Sequence, residues 1–347
     1  MAAPGLTTEY KWTRYLPVAD DYKEPDLVDC VHVEPSTRVD PAKELQFLAG
    51  ATSVIDLSPA IGTEIRGKQL STLTPGELDE LSLLLGRRAL LVFRGQDFAE
   101  LSCERQKEIV SHFGRLHVHP VSGHVPGSRE HLVFYRTKDN DVFRAGAATN
   151  RISTTLWHHD QSFERQPPSA TFLTGLTIPA RCGGDTEYVS MVAAYNRLSP
   201  SFAAYLETLT ALHSGVEQGE DSSKVGGILR RTPVETVHPV IRVHPGTGEK
   251  SIFVNKAFTK HIVGLKREES DAILNFIYDF VAKATEFHAR VRWEDATVIV
   301  WDNRITNHTV ISDFGFEKGD IRHHFRITAT GERPIPVEGK IPKDVLV

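Results

Sequence analysis

Apolar and polar positions change rhythm along this chain, and the changes mark its elements. From Ala51 the pattern sharpens. Thr74-Pro75-Gly76-Glu77 is a capping box with proline at the first helical position. Leu78, Leu81, Leu84 and Leu85 follow at helical spacing. Ala89–Phe93 is a short apolar run suited to a buried strand, and a second helix is predicted over Cys103–Phe113, stopped by Gly114. Strands are expected at His131–Tyr135 and, after Pro167-Pro168 breaks the chain, at Ala170–Leu176. A glycine-paired turn over Cys182–Tyr188 leads into another strand, then into helices predicted at Ser190–Leu198 and Ser201–Leu212. Thr236–Val243 and Ser251–Asn255 read as a hairpin around Pro245-Gly246-Thr247-Gly248. Ile273, Phe276, Ile277, Phe280 and Ala284 give an amphipathic helix that covers a sheet face. Ala296–Trp301 and Arg322–Ala329 are the last strands, joined through a turn-rich link at Phe314–Ile321 and followed by a proline-rich tail.

Three stretches lack this rhythm. Residues 1–50 read as an arm on the surface of the fold, a packing extension without chemistry. Residues 122–155 and 214–232 read as inserted loops, the first a substrate lid and the second the clearest candidate for a mobile segment. Many short strands, few helices and an antiparallel hairpin predict a mainly β fold with flanking helices. The expected core is a double-stranded β-helix, or jelly roll, formed by one domain over 51–347.

Composition narrows the function classes. The 347 residues are 40% hydrophobic and 24% charged, with a net charge of -5, and no block of five or more basic residues appears. Nucleic-acid and membrane-surface binding are not expected. Cys30, Cys103 and Cys182 fall at spacings that make neither a disulfide framework nor a zinc motif. No apolar run approaches membrane length, so a cytoplasmic protein is expected. Sixteen histidines favour a metal.

The candidate chemistry starts at Leu156-Trp157-His158-His159-Asp160-Gln161-Ser162-Phe163. On an extended segment His158 and Asp160 share a face while His159 points away. Alone, such a pair is more often structural. With a distant histidine as third ligand it becomes a facial triad whose open positions suit non-haem Fe(II) and oxygen. His117 and His119 alternate before Pro120 and read equally as surface histidines or as donors to an anionic substrate. Arg322 and Arg326, four apart on a strand, place two guanidiniums on one face, at most roughly 13 Å apart. Such a pair is suited to two separate anions.

These motifs together resemble the taurine dioxygenase family of Fe(II)/2-oxoglutarate-dependent oxygenases, over roughly residues 55–336. The resemblance rests on Trp157-His158-x-Asp160, Gly183-Gly184-Asp185-Thr186, Trp301-Asp302-Asn303-Arg304 with His308, and Arg322-x-x-x-Arg326. Phe113-Gly114-x-Leu116-His117-x-His119-Pro120 and Phe253-Val254-Asn255-x-x-Phe258 match as well. The arm and Gly62-Thr63-Glu64-Ile65-Arg66-Gly67 look like the fungal branch. The resemblance implies His158, Asp160 and His308 as iron ligands, and Thr186 with Arg322 around the distal carboxylate of 2-oxoglutarate. It implies Arg326 and His119 on the anionic head of the substrate, and Phe163 and Phe258 lining its pocket. Fe(II), 2-oxoglutarate and O2 would be the cofactor and cosubstrates, with succinate and carbon dioxide as coproducts. Gln161 stands where taurine dioxygenase has valine and changes the pocket rim, as Ser122, Thr154 and Thr155 also do.

A small organosulfonate hydroxylated beside sulfur is the leading substrate expectation. The rival is an α-amino acid or other carboxylate that is oxidised, desaturated or cyclised in fungal secondary metabolism. A non-catalytic metal-bound sensor predicts no turnover, and a zinc hydrolase predicts activity without oxygen. Homo-oligomerisation is compatible with all of these readings.

Overall fold

The helix over Pro75–Arg88 begins at its predicted cap: Glu77 N–H bonds the Thr74 hydroxyl, and the Glu77 carboxylate accepts from Thr74 N–H. The computed structural model describes residues 10–137, 153, 155–179, 182–224, 227–313 and 320–341. Thr154, most of the expected lid beyond Thr137 and residues 314–319 of the link lie outside them. In chain order the strands are β1 Ser53–Asp56, β2 Thr63–Arg66, β3 Leu90–Phe93, β4 His124–Val125, β5 Ser128–Thr137, β6 Pro168–Thr177, β7 Thr186–Ser190 and β8 Thr210–Ser214. They continue with β9 Glu235–Pro239, β10 Ile241–Val243, β11 Lys250–Ile252, β12 Thr259–Ile262, β13 His288–Val291, β14 Val298–Asp302, β15 Thr306–Val310, β16 Ile321–Thr330 and β17 Ile335–Pro336.

The major sheet runs β1-β2-β3-β14-β6-β16-β5-β4, and a facing minor sheet runs β13-β7-β15. Smaller sheets β12-β8-β9 and β11-β10-β17 extend the structure. This is the jelly roll, with the helices Pro75–Arg88 and Cys103–Ser111 outside it.

Strand β16 explains why the site lies inside. Its alternation sends Phe325, Ile327 and Ala329 outward into a buried apolar cluster with Tyr15, Phe47, Phe93, Phe98 and Phe172. Arg322, His324, Arg326 and Thr328 occupy the opposite face. A second apolar layer of Leu173, Tyr188, Ile299 and Trp301 joins the two sheets. The interior is therefore part hydrophobic and part polar, and its polar part lies at the metal motif.

Two expectations change. The helix predicted over Ser201–Leu212 ends at Leu206, and Thr210–Ser214 is instead strand β8, held between β9 and β12. Pairing with distant strands overrides the local helical pattern there. Within 214–232, Val216–Lys224 is a helix, and Arg230 and Arg231 beyond it are buried. The arm is packed as well as irregular. Tyr15 and Phe47 are fully buried in it, and Glu34 forms a buried ion pair with Arg304.

Many histidines sit neutral in this interior, and that makes stability depend on pH. Burial drives His131 and His238 down to about 3 and His323 to about 4. In the unfolded chain they titrate near 6.5. Below that pH the unfolded state binds more protons than the folded one, so stability is full above about pH 6.5 and declines as pH falls. Thermal melts from pH 8 to pH 4 are expected to give a flat midpoint above pH 7 and a progressive drop below pH 6. A midpoint that rises on acidification would contradict the assignment. No helix among the described residues is long and apolar enough to cross a membrane.

Candidate metal centre and cosubstrate pocket

The segment at His158 is extended and pairs with β15: His158 N–H bonds the His308 carbonyl at 3.1 Å, and His308 N–H bonds the His158 carbonyl at 2.9 Å. This backbone bridge joins two residues 150 positions apart and brings their imidazoles to a centroid separation of 4.2 Å. Asp160 follows where the chain turns. Its N–H donates to the Asn303 side-chain oxygen at 2.7 Å, and the Asn303 amide donates back to the Asp160 carbonyl at 3.0 Å. Asn303 thereby clasps the Asp160 peptide from the turn after β14, a role that the sequence motif contained without revealing.

His158 Nε2 lies 3.8 Å from Asp160 Oδ1, and His308 Nε2 lies 3.8 Å from Asp160 Oδ2. The three ligand atoms fall within 4.8 Å of one another. His158 Nδ1 donates to the Leu156 carbonyl at 2.8 Å, which fixes the ring and leaves Nε2 to face the cluster. Burial, together with the neighbouring His158, lowers His308 to about 3, so it offers a neutral nitrogen. Burial pushes the Asp160 carboxyl up, but the Arg326 guanidinium bonded to it outweighs this and holds it well below the carboxylate range. Two neutral imidazoles and one carboxylate on a common face are a donor set that fits Fe(II).

A second cluster, His32, Glu34 and Glu332, has similar spacing. Arg304 occupies it, however, bonding Glu34 and Glu332 while gripping Asp302 through Nε at 2.8 Å and Nη2 at 2.6 Å. Arg242 also pairs with Glu332, and His244 with Asp302 at 2.9 Å. A guanidinium already supplies the positive charge, so this is a structural ion network. The consecutive residues Asp302, Asn303 and Arg304 thus divide two tasks: the outer two tie the arm to the barrel, and the middle one clasps Asp160.

Beside the cluster of His158, Asp160 and His308, Gly183 and Gly184 take positive φ in the turn before β7. The Gly184 carbonyl accepts from Arg322 Nε at 3.1 Å. Thr186, two residues further on, is buried, and its hydroxyl has no partner among the described residues. Arg322 and Arg326 are both buried and inward. Arg326 departs from the simple two-anion picture: its Nη1 bonds Asp160 Oδ2 at 2.7 Å. Five N–H groups let one guanidinium hold that carboxylate and a further anion, and Arg326 Nε has no partner among the described residues.

Near Gln161, His119 Nδ1 accepts from Val121 N–H at 3.3 Å, and its Nε2 lies 2.9 Å from the Gln161 amide nitrogen. Burial, Arg326 and His117 keep His119 neutral. With Nδ1 accepting, Nε2 carries the proton, so the amide orientation that satisfies both side chains turns Gln161 Oε1 toward it. Gln161 itself sits at φ 39°. Phe163 and Phe258 meet edge to face at 5.1 Å, with Phe258 also 6.3 Å from the His158 ring. Gly215 packs so tightly on Phe163 that a Cβ there would stand 2.7 Å from its ring.

Sequence reasoning missed the brace behind this wall. Glu164 is fully buried between His117 at 2.9 Å and Arg231 at 2.9 Å, and Arg231 also reaches Glu24 and the Val118 carbonyl. Arg230 bonds the carbonyls of His119 and Ser122. The adjacent arginines in an otherwise aperiodic stretch were the available signal.

A jelly roll with a two-histidine, one-carboxylate cluster between its sheets and inward arginines beside it defines a class of non-haem oxygenases. The sequence model of the family described as "Taurine catabolism dioxygenase TauD, TfdA family" matches residues 53–328. The chain is 44% identical to the alpha-ketoglutarate-dependent dioxygenase cnsP of Penicillium expansum, covering 98% of this chain and 93% of that protein. It is 41% identical to an alpha-ketoglutarate-dependent sulfonate dioxygenase of Saccharomyces cerevisiae, covering 82% of this chain and 68% of that one. Its structure superposes on that of a taurine dioxygenase from Burkholderia xenovorans with a TM-score of 0.66 at 31% identity, over 84% of this chain and 94% of the other. The chain belongs to the TauD/TfdA family. It is a 2-oxoglutarate-dependent dioxygenase, of a class that works with Fe(II), 2-oxoglutarate and O2.

Proposed function

We propose that His158, Asp160 and His308 hold the ferrous ion, that Arg322 and Thr186 hold 2-oxoglutarate, and that the substrate is a small organosulfonate hydroxylated at the carbon bearing sulfur. The observation that carries the site assignment is the approach of three ligand atoms to within 4.8 Å from two segments far apart in the chain, with both arginines buried. The similarity to the yeast sulfonate dioxygenase supports the substrate class.

When bound, the iron supplies oxygen activation coupled to decarboxylation of 2-oxoglutarate to succinate. The chain's own groups do the rest. Arg322 offers a planar, permanently charged fork for a carboxylate. Arg326 fixes the orientation of Asp160 and presents its remaining N–H groups to the substrate anion. His119 and Gln161, locked to each other, shape the rim as neutral groups. Phe163 and Phe258 line the reacting end and exclude water. An α-hydroxysulfonate formed there collapses to an aldehyde and sulfite. Unpaired Cys30, Cys103 and Cys182 support a cytoplasmic setting.

The test is turnover with Fe(II), 2-oxoglutarate and O2 on parallel panels of alkyl sulfonates and amino or other carboxylic acids. Sulfite is expected to appear in step with succinate on at least one sulfonate. Arg326→Ala should raise the substrate KM about tenfold or more, with a smaller effect on the 2-oxoglutarate requirement, because a charged hydrogen bond is lost. Turnover confined to carboxylic acids, without sulfite, would overturn the sulfonate reading and leave the oxygenase assignment standing.

A further inference from the structure

Tyr188 is fully buried, yet its hydroxyl has no hydrogen-bond partner among the described residues. Buried phenols ordinarily find one. The ring cannot easily turn away to seek another. Tyr188 stands directly opposite His308 in the β7–β15 register and stacks on that imidazole with centroids 5.7 Å apart and planes 24° apart. Trp301 closes another side at 5.6 Å.

Tyr188 also shares its strand face with Thr186, two residues earlier, whose hydroxyl is equally buried and unpartnered. Two unsatisfied hydroxyls therefore line one wall, between the metal cluster and the turn where Arg322 meets Gly184. An apolar ligand would leave both unsatisfied, whereas an anion carrying several oxygens would satisfy them together.

We propose that Tyr188 donates a hydrogen bond to an anionic oxygen of bound 2-oxoglutarate, as a third protein donor beside Thr186 and Arg322. The inference rests on the reading of this pocket as the Fe(II)/2-oxoglutarate site. A residue that merely packs against His308 would need the ring alone. The hydroxyl costs stability until the cosubstrate satisfies it, which is the mark of a binding group.

The experiment compares the wild type with Tyr188→Phe by calorimetric titration of 2-oxoglutarate into Mn(II)-loaded protein, with Mn(II) affinity and melting temperature measured separately. The Kd for 2-oxoglutarate is expected to rise roughly ten- to a hundredfold, the scale of a hydrogen bond to a charged group. Mn(II) affinity should stay within about twofold, and the melting temperature should be equal or higher. An unchanged 2-oxoglutarate Kd, or a parallel loss of Mn(II) affinity, would overturn the proposal. A wild-type protein that binds no 2-oxoglutarate would instead overturn the reading on which it rests.

Discussion

Replacing Asp160 with alanine is expected to lower succinate formation by more than about a hundredfold, beyond the scale already produced by losing an outer-shell partner of a metal ligand. Two effects combine. The variant removes the anionic ligand, leaving two neutral imidazoles. It also strips Arg326 of the carboxylate that it bonds at 2.7 Å, so an unpaired buried cation faces the place where a divalent ion must enter. Iron affinity should therefore fall more than the loss of one ligand implies. The check is the rate of 2-oxoglutarate decarboxylation together with anaerobic iron content; normal turnover at normal occupancy would remove Asp160 from the metal sphere.

The second large effect lies away from the metal. Arg304→Ala is expected to destabilise the fold by about 3–5 kcal/mol, the cost of breaking a buried ion pair by removing one partner. Arg304 is the common counter-ion of Asp302, Glu34 and Glu332, all buried or nearly so. Its removal leaves Arg242, which pairs with Glu332, as the remaining guanidinium beside three carboxylates. Against a typical domain stability of about 5–15 kcal/mol, much of the folded population is at stake. Urea unfolding measures the loss directly, and a change below about 1 kcal/mol would show that the network is dispensable. Carboxylates held low by this arginine contribute stability above their unfolded pKa and lose it in acid, in the same direction as the buried histidines.

The helix Pro75–Arg88 was legible because its cap is local: Thr74 and Glu77 lie one turn apart and satisfy each other. The facing of Arg322 and Arg326 was legible because alternation on β16 is also local. Strand β8 was not, since its apolar residues fit a helix equally well and only β9 and β12 decide. The helix Val216–Lys224 escaped notice because Gly219 and its serines carry no apolar stripe. The arm looked passive because the partner of Glu34, Arg304, lies 270 positions away. In the site, residue identities followed from motif order, whereas their mutual bonds did not. That Arg326 would grip Asp160, that Gln161 would lock to His119, and that the Tyr188 hydroxyl would find no partner among the described residues all depend on contacts between segments far apart in the chain.

Anaerobic Fe(II) titration tests the central claim most directly, because two clusters of similar spacing compete for the assignment. The wild type is expected to bind one ion per chain; His308→Ala should abolish that binding, and His32→Ala should leave it intact. Full stoichiometry in the His308 variant, or its loss only in the His32 variant, would place the metal elsewhere and contradict the site.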